Sequence, residues 1–475
     1  MNALARHPAA GRSRRHTQHN LNDHFSQPQH HPGYHAPFFR EAAVNDTTPA
    51  ILLTEATASA YVAASGFRVG PVGRVGVELE YCVRDPRRPL HRPAPGRLLG
   101  LLAHLGNPLP GGSSVTIEPG GQLELSSAVG ADMDACVAAL AGDLALVRAG
   151  LAEHGLFLEG TGLDMVRRPR LVTDHPRYVA LAEYHDRAGT RGRTVMTNSA
   201  SIQVCLDSGT EGAEADEWSH FARRWWLADA IGPVLMAAFA NSPHVTRAGR
   251  RWASYRQALR FGTDASRTRA PRRTADPRTA WARYALAAKV AMVAPDDFDA
   301  TTDPAAGERW LVPSGLTMRD WLRGHGPRPV TLTDLERHLG TLVPPVRPRG
   351  YLELRMIDQQ AGDDWVVPVA VVTSLLDDPE GAQAAADATE HLRSPLRRHR
   401  DWLGAARDGL ADPALAAAAL ACFTAAQSVL ARREAPLAVR DAVAQFVDRY
   451  VLRGRCPADD ARHDRDRRVR VVSTG

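Results

Sequence analysis

The run of residues 117–126, Ile-Glu-Pro-Gly-Gly-Gln-Leu-Glu-Leu-Ser, constrains the fold more than any other part of this sequence. Short β-type runs on both sides of a Pro-Gly-Gly turn are typical of a β-hairpin. A three-residue turn pairs Glu118 with Gln122 and places Glu124 opposite Thr116. In that register Glu118 and Glu124 share one face of the hairpin, whereas a turn of even length would put them on opposite faces.

A second pair of glutamates, Glu78 and Glu80, lies in the predicted strand Gly-Val-Glu-Leu-Glu-Tyr. Residues two apart in a strand point the same way, so both carboxylates lie on one face while Val77 and Leu79 pack on the other. Neighbouring carboxylates repel each other, and magnesium, which takes oxygen ligands, would relieve that repulsion. A solvated strand face is the alternative for this pair alone. Four convergent carboxylates are harder to explain without a cation, because burying unpaired charge is costly.

A third polar strand is predicted over residues 350–358, where Tyr351, Glu353 and Arg355 share one face. An ion pair between Glu353 and Arg355 is one interpretation. In the other interpretation Glu353 binds a metal and Arg355 binds a phosphate or carboxylate, because the planar guanidinium group suits bidentate oxyanions.

The remaining periodicity predicts helices and strands that interleave without regular β-α-β spacing. Helices are expected at 52–65, 132–154, 218–240, 365–376 and 410–450, further strands at 74–83 and 194–207, and irregular structure at 247–279. Because the strands carry polar residues on one face, the pattern favours an α+β fold with an antiparallel sheet.

The 475 residues allow one large domain or two smaller ones. Composition divides them into a disordered arm rich in His and Arg (1–47), an ordered domain (48–453) and a basic C-terminal tail (454–475). The formal net charge of +5 lies largely in the two tails. It suits an anionic ligand such as ATP, but it does not argue for a nucleic acid partner.

Five cysteines without a CxxC spacing favour reduced thiols over a zinc site or a disulfide framework. The N-terminus has no apolar segment of the kind that a secretory signal contains. We also expect no uninterrupted apolar span of membrane length. The sequence therefore predicts a soluble, cytoplasmic protein without a membrane partner, and it does not indicate an oligomeric state.

These motifs resemble those of the plant and proteobacterial family of glutamate–cysteine ligases. The matching segments are residues 76–80, 118–126 and 351–355 together with Asp358, then 197–207, and the turn 241–243 followed by Arg256, Asp264 and Arg267. One departure is Cys205, which stands where the family pattern has Asn. The sequence is most similar to those of the actinobacterial branch of this family, in which the product feeds ergothioneine synthesis.

The resemblance implies a glutamine synthetase-like catalytic domain, with a curved antiparallel sheet surrounded by helices. It implies an enzyme that uses ATP and Mg²⁺ to join the γ-carboxylate of glutamate to the amine of cysteine through a γ-glutamyl phosphate. The implied metal ligands are Glu78, Glu80, Glu118, Glu124 and Glu353; the implied catalytic residues are Arg256, Arg355 and Gln203; and the implied nucleotide-binding residues are Arg355 and Arg267.

Two other functions remain open from the sequence. A related ligase could join glutamate to a different amine. A protein of another class could keep the sheet but lack turnover, and bind a nucleotide or polyanion without catalysis. Clustering of the five glutamates argues against the second alternative, because carboxylates without a metal would have no reason to converge.

Overall fold

A computed structural model describes residues 52–212, 216–295, 307–392 and 398–460. The predicted N-terminal arm and residues 461–475 of the predicted tail lie outside the described residues. Residues 454–460 are described, and Cys456 and Ala458 are buried there against Ala240 and Ala253. This part of the predicted tail therefore packs on the ordered domain.

Nine strands lie in these described segments: β1 Val75–Arg84, β2 Ser114–Ile117, β3 Gln122–Ser126, β4 Phe157–Glu159, β5 Ser201–Asp207, β6 His244–Val245, β7 Arg251–Trp252, β8 Val346–Pro348 and β9 Tyr351–Asp358. Seven of them form one antiparallel sheet in the order β2–β3–β1–β5–β9–β8, with β4 paired to β1. β6 and β7 form a separate ribbon.

Helices surround this sheet. They are α1 Glu55–Gly66, α2 Pro95–Leu102, α3 Met133–Ala152, α4 Pro176–Asp186, α5 Thr190–Asn198, α6 Phe221–Ala238, α7 Tyr255–Phe261, α8 Ala265–Thr268, α9 Pro277–Ala287, α10 Met318–Asp320, α11 Leu332–Leu339, α12 Val366–Leu376, α13 Pro379–Ala388, α14 Arg398–Asp408, α15 Pro413–Arg432 and α16 Leu437–Arg449. The predicted α+β fold with an antiparallel sheet is confirmed.

The main core lies between one face of the sheet and the helices that contact it, among them α3, α6 and α12. Val77 and Leu79 of β1, Val204 of β5 and Leu354 of β9 are at most 2% exposed. Because side chains alternate along a strand, the glutamates between these residues point to the opposite face. Burial of the apolar face thus fixes which side of the sheet carries the polar groups.

Two parts of the predicted secondary structure are wrong. Residues 194–198 are not the start of a strand but the end of helix α5, where Thr197 Oγ1 donates to Arg193 O four residues back. The segment 247–279 is not irregular, because it contains the helix α7. Apolar periodicity could not reveal α7, since its buried face carries Arg256 and Arg260 as well as apolar residues.

Helices α3 and α15 are long and apolar enough to cross a membrane, judged by length and composition alone. By this measure the expectation that no apolar span reaches membrane length is not confirmed. Both helices also contribute to the main core, α3 through Leu140 and Leu144 and α15 through Cys422 and Phe423. A core helix passes the same test, so the two helices do not establish a membrane segment.

Candidate functional site

Four glutamates converge on the polar face of the sheet, and we call Glu78, Glu80, Glu118 and Glu124 the acidic cluster. Glu80 of β1 lies opposite Glu124 of β3 in the strand register. Thr116 also lies opposite Glu124, and Glu118 N donates to Gln122 O at 2.8 Å. The turn therefore has three residues, and the predicted register of the hairpin is confirmed.

Glu124 is repelled by the other carboxylates of the acidic cluster. Burial raises the pKa of Glu124 well above its ordinary value, and the charges of Glu118, Glu78 and Glu80 raise it further. Hydroxyl groups of Thr116 and Ser126 donate to Glu124 Oε1 at 3.1 and 3.3 Å. Within the described segments, no arginine or lysine forms a salt bridge with Glu78, Glu80 or Glu124.

Glu78 connects the acidic cluster to the next strands of the sheet. Its side chain is 9% exposed, and it lies opposite Gln203 of β5. Burial raises the pKa of Glu78 to about 7, and the charge of Glu353 on β9 adds to this rise. A carboxyl group in this position gains most from a nearby cation, because both effects disfavour its charged form.

Arginines occupy the neighbouring part of the same face. Glu353 is fully buried and accepts hydrogen bonds from Arg347 at 2.7 and 2.8 Å and from Arg355 at 2.7 Å. Burial opposes ionisation of Glu353, but the guanidinium groups of Arg347, Arg355 and Arg349 outweigh it and hold the pKa of Glu353 below its ordinary value. Among the described residues, Arg355 Nε is buried without a hydrogen-bond partner.

Gln203 joins the acidic and basic parts of the face. Its Nε2 donates to Glu80 Oε1 at 3.1 Å, and its Oε1 accepts from Arg355 Nη1. Ser201 N donates to Glu80 Oε2 at 2.8 Å. Both oxygens of Glu80 are thus oriented by β5, and the amide of Gln203 holds Arg355 next to the carboxylates.

The structure changes the interpretation of Glu353. The sequence left a choice between a metal ligand and an ion pair with Arg355, and the resemblance placed Glu353 with the metal ligands. In the structure Glu353 forms the ion pair with Arg355 and a bidentate one with Arg347. Most of its acceptor capacity is therefore used to hold these arginines, whereas Glu78, Glu80 and Glu124 form no salt bridge with an arginine or lysine in the described chain.

Arg256 also has a different environment from the one implied by the resemblance. It is 3% exposed, and its Nε donates to Asp358 Oδ1 at 2.7 Å. Asp358 is a buried hub, because it also accepts from Asn241 N and from the hydroxyls of Ser242 and Ser254. Arg256 therefore fastens α7 to the end of β9, and its implied role at a substrate stays a prediction.

Arg267 is likewise engaged away from the acidic cluster. It is 1% exposed, and its Nε donates to Asp264 at 3.0 Å. Its remaining nitrogens donate to Thr341 and to Lys289 O. Every nitrogen of this guanidinium group thus has a protein acceptor, and the implied contact of Arg267 with a nucleotide stays a prediction.

Arg347 is a site residue that sequence reasoning missed. It lies opposite Glu353 in the β8–β9 pair, in which residues 349–351 separate the paired residues Pro348 and Leu352. The parity argument used for the Pro-Gly-Gly turn would have found it, because an odd number of residues between the paired positions places Arg347 and Glu353 on one face. The short β8 has only three residues, too few for an alternating pattern to be visible.

Comparisons with known proteins agree with the motifs of this face. A sequence model described as Glutamate-cysteine ligase family 2 matches residues 74–472. The chain is 38% identical over 417 residues to glutamate–cysteine ligase EgtA of Mycobacterium tuberculosis, which covers 86% of this chain and 90% of the relative. It is 38% identical over 410 residues to EgtA of Mycolicibacterium smegmatis, with 85% and 90% covered. A chloroplastic glutamate–cysteine ligase of Arabidopsis thaliana is 28% identical over 310 residues, with 63% and 54% covered.

Proposed function

We infer the function of this chain from the family to which it belongs, glutamate–cysteine ligase family 2. The chain is an enzyme that joins the γ-carboxylate of glutamate to the amine of cysteine. In the proposed reaction the γ-phosphoryl group of ATP is transferred to the glutamate side chain, and the amine of cysteine then displaces phosphate from the γ-glutamyl phosphate. The similarity to the EgtA ligases supports a role of the product in ergothioneine synthesis.

We propose that the acidic cluster holds Mg²⁺. The observation that carries this proposal is the environment of Glu124, whose pKa is raised by burial and by three other glutamates. Hard divalent cations take carboxylate oxygens as ligands, so the side chains present fit magnesium. When bound, Mg²⁺ would neutralise the phosphate oxygens of ATP, while the residues of the acidic cluster fix its place on the sheet.

Arg355 is proposed to orient an anionic group of a substrate. Its buried Nε faces no protein acceptor in the described chain, and a guanidinium group in this state gains a hydrogen bond when a phosphate or carboxylate arrives. Glu353 and Gln203 fix the other side of this guanidinium group. Catalysis would then consist of placing two anions side by side and balancing their charge, which is what phosphoryl transfer requires.

The experiment that tests the function uses the purified chain with ATP, Mg²⁺ and glutamate, and a panel of amino acids as acceptors. Mass detection of the dipeptide and measurement of ADP release give independent readouts. We expect γ-glutamylcysteine as the main product, and no product without Mg²⁺. A dipeptide formed preferentially from another amino acid would replace cysteine as the substrate, and absence of ADP release with every acceptor would remove the ligase function.

We propose a cytoplasmic location for this reaction. All five cysteines are free and buried, which fits a reducing compartment. The substrates of the proposed reaction are small molecules, and the site described above involves residues of one chain.

A further inference from the structure

Cys205 lies inside the polar face, between two of its acids. It is opposite Glu353 of β9 in the strand register, and the ligand atoms of Glu78, Cys205 and Glu353 all lie within 4.8 Å of one another. The side chain of Cys205 is 1% exposed. Its thiol has no hydrogen-bond partner among the residues that the structure describes.

A thiol in this position is of no use to Mg²⁺, which prefers oxygen ligands and keeps much of its water. Borderline-soft cations such as Zn²⁺ and Cd²⁺ bind thiolates together with carboxylates. We propose that Glu78, Cys205 and Glu353 form a binding site for a thiophilic divalent cation.

The ion pairs of Glu353 leave room for this cation. An ionised carboxylate offers about four lone-pair positions, and Arg347 and Arg355 together donate three hydrogen bonds to Glu353. One position therefore remains, on Oε1 of Glu353, where Arg349 Nη1 lies 3.8 Å away in an ion pair rather than a hydrogen bond. Glu78 has no salt bridge in the described chain. Cys205 would lose its proton to solvent when the metal–sulfur bond forms. Three protein ligands leave the fourth position of a tetrahedral ion to water or to a substrate oxygen.

Occupation of this site would interfere with catalysis. Glu78 belongs both to this site and to the acidic cluster, so a thiophilic cation bound there competes with Mg²⁺ for the same carboxylate. Its positive charge would also lie beside Arg355, within the space proposed for the substrate anion. Inhibition by competition rests on the proposed function, whereas binding of the cation does not.

Binding is tested with Cd²⁺ alone, in the absence of substrates and with a phosphine as the reductant. The readout is the ultraviolet charge-transfer absorption of a cadmium–thiolate bond. We expect this band in the wild-type chain and in Cys422→Ala, a control whose thiol lies in the α15 core. In Cys205→Asn and Cys205→Ser the band should be lost and the affinity for Cd²⁺ should fall by at least about tenfold. An unchanged band in folded Cys205→Asn or Cys205→Ser would overturn the proposal.

Inhibition is tested by ADP release at fixed Mg²⁺ with buffered free Zn²⁺, because the substrate cysteine itself binds zinc. Half-inhibition should require at least about tenfold more free Zn²⁺ in Cys205→Asn than in the wild type, and added Mg²⁺ should relieve it. Equal inhibition of both proteins would contradict competition at this site. The cadmium band is measured without turnover, so a chain that failed as a ligase would still give a result for the metal site.

Discussion

Glu124 is under electrostatic repulsion from the other glutamates of the acidic cluster. Burial and three other glutamates raise its pKa, and among the described residues only hydroxyl groups donate to its side chain. A carboxyl group whose pKa is raised by folding binds protons more tightly in the folded state than in the unfolded state. It therefore reduces the stability of the metal-free protein as the pH rises above its ordinary pKa of 4.5.

Replacement of Glu124 by Gln should consequently stabilise the metal-free fold and abolish ligation. We expect the free energy of unfolding of Glu124→Gln in EDTA to exceed that of the wild type by about 1–2 kcal/mol at pH 8. At about pH 3.5, roughly one unit below the ordinary pKa, the difference should be small, because Glu124 is then mostly protonated in both states. Thermal and denaturant unfolding at the two pH values measure it. A less stable Glu124→Gln protein at pH 8 would show that Glu124 is not under repulsion.

At the scale of elements, the hairpin β2–β3 depends on a close approach of its turn to the end of α5. A Cβ atom on Gly120 would lie 2.0 Å from the carbonyl oxygen of Thr197. Arg92 bridges the turn and the end of α5, because it donates to Gly120 O and, at 2.7 Å, to Thr197 O. The turn thereby fixes where Glu118 enters the acidic cluster.

The variant Gly120→Ala should therefore lose ligase activity, because the turn must move and carry Glu118 with it. The matched control is Gly142→Ala in α3, where a Cβ would meet no atom within 4 Å. Alanine favours a helix over glycine by about 1 kcal/mol, so the control should keep its activity and unfold at a higher temperature. Activity of Gly120→Ala equal to that of the control would mean that the turn does not position Glu118.

Helix α7 supports the strand that carries Arg355. The pairing of β5 with β9 shifts register between Ile202 and Val204, next to Arg355 and Met356. Side chains of α7 donate to the carbonyls there: Arg256 and Arg260 to Arg355 O at 3.4 and 3.2 Å, and Gln257 to Met356 O at 3.0 Å. α7 thus fixes the backbone from which Arg355 extends.

Gln257 is accordingly a positioning residue, and Gln257→Met tests this role. Met356 O would lose its donor, which costs about 1–3 kcal/mol of stability in a buried site. We expect the turnover number to fall while Mn²⁺ binding at the acidic cluster stays unchanged, because β1 and β3 are not altered. Gln383→Met, on the exposed side of α13, is the control. Unchanged turnover in a folded Gln257→Met protein would assign Gln257 to stability alone.

The sequence predicted those parts of the site that depend on strand parity. Alternation in β1 and the three-residue turn before Gln122 placed four glutamates on one face. The sequence could not predict the partners of Glu353 and Arg256, because Arg347 contacts Glu353 across two strands and Asp358 contacts Arg256 between a strand and a helix. Such contacts depend on tertiary packing, which the local sequence pattern does not contain.

At the scale of the whole molecule, buried histidines make stability depend on pH. Burial lowers the pKa of His338 to about 4, and that of His185 also to about 4. The unfolded chain binds these protons first as the pH falls. The contribution of the neutral histidines to the free energy of unfolding is therefore fully present above pH 6.5. It is lost as the pH falls from 6.5 to about 4.

The free energy of unfolding is predicted to fall by about 3 kcal/mol across this pH range because of His338 alone. His338→Gln should be less stable than the wild type at pH 7, since the bond of Nε2 with Ala285 O is altered, but its stability should fall less steeply towards pH 4. Denaturant unfolding at several pH values gives both slopes. Equal slopes for the two proteins would mean that His338 does not take up a proton on unfolding.

The proposed ligase mechanism depends on one cation shared by glutamates from β1 and the β2–β3 hairpin. Binding of Mn²⁺, which takes the same oxygen ligands as Mg²⁺, can be measured by electron paramagnetic resonance without substrates. We predict that the wild-type chain and Glu153→Gln, a control at an exposed position after α3, bind Mn²⁺ equally. Glu124→Gln should bind it at least about tenfold more weakly. Equal binding by Glu124→Gln and the wild type would contradict a metal site at the acidic cluster.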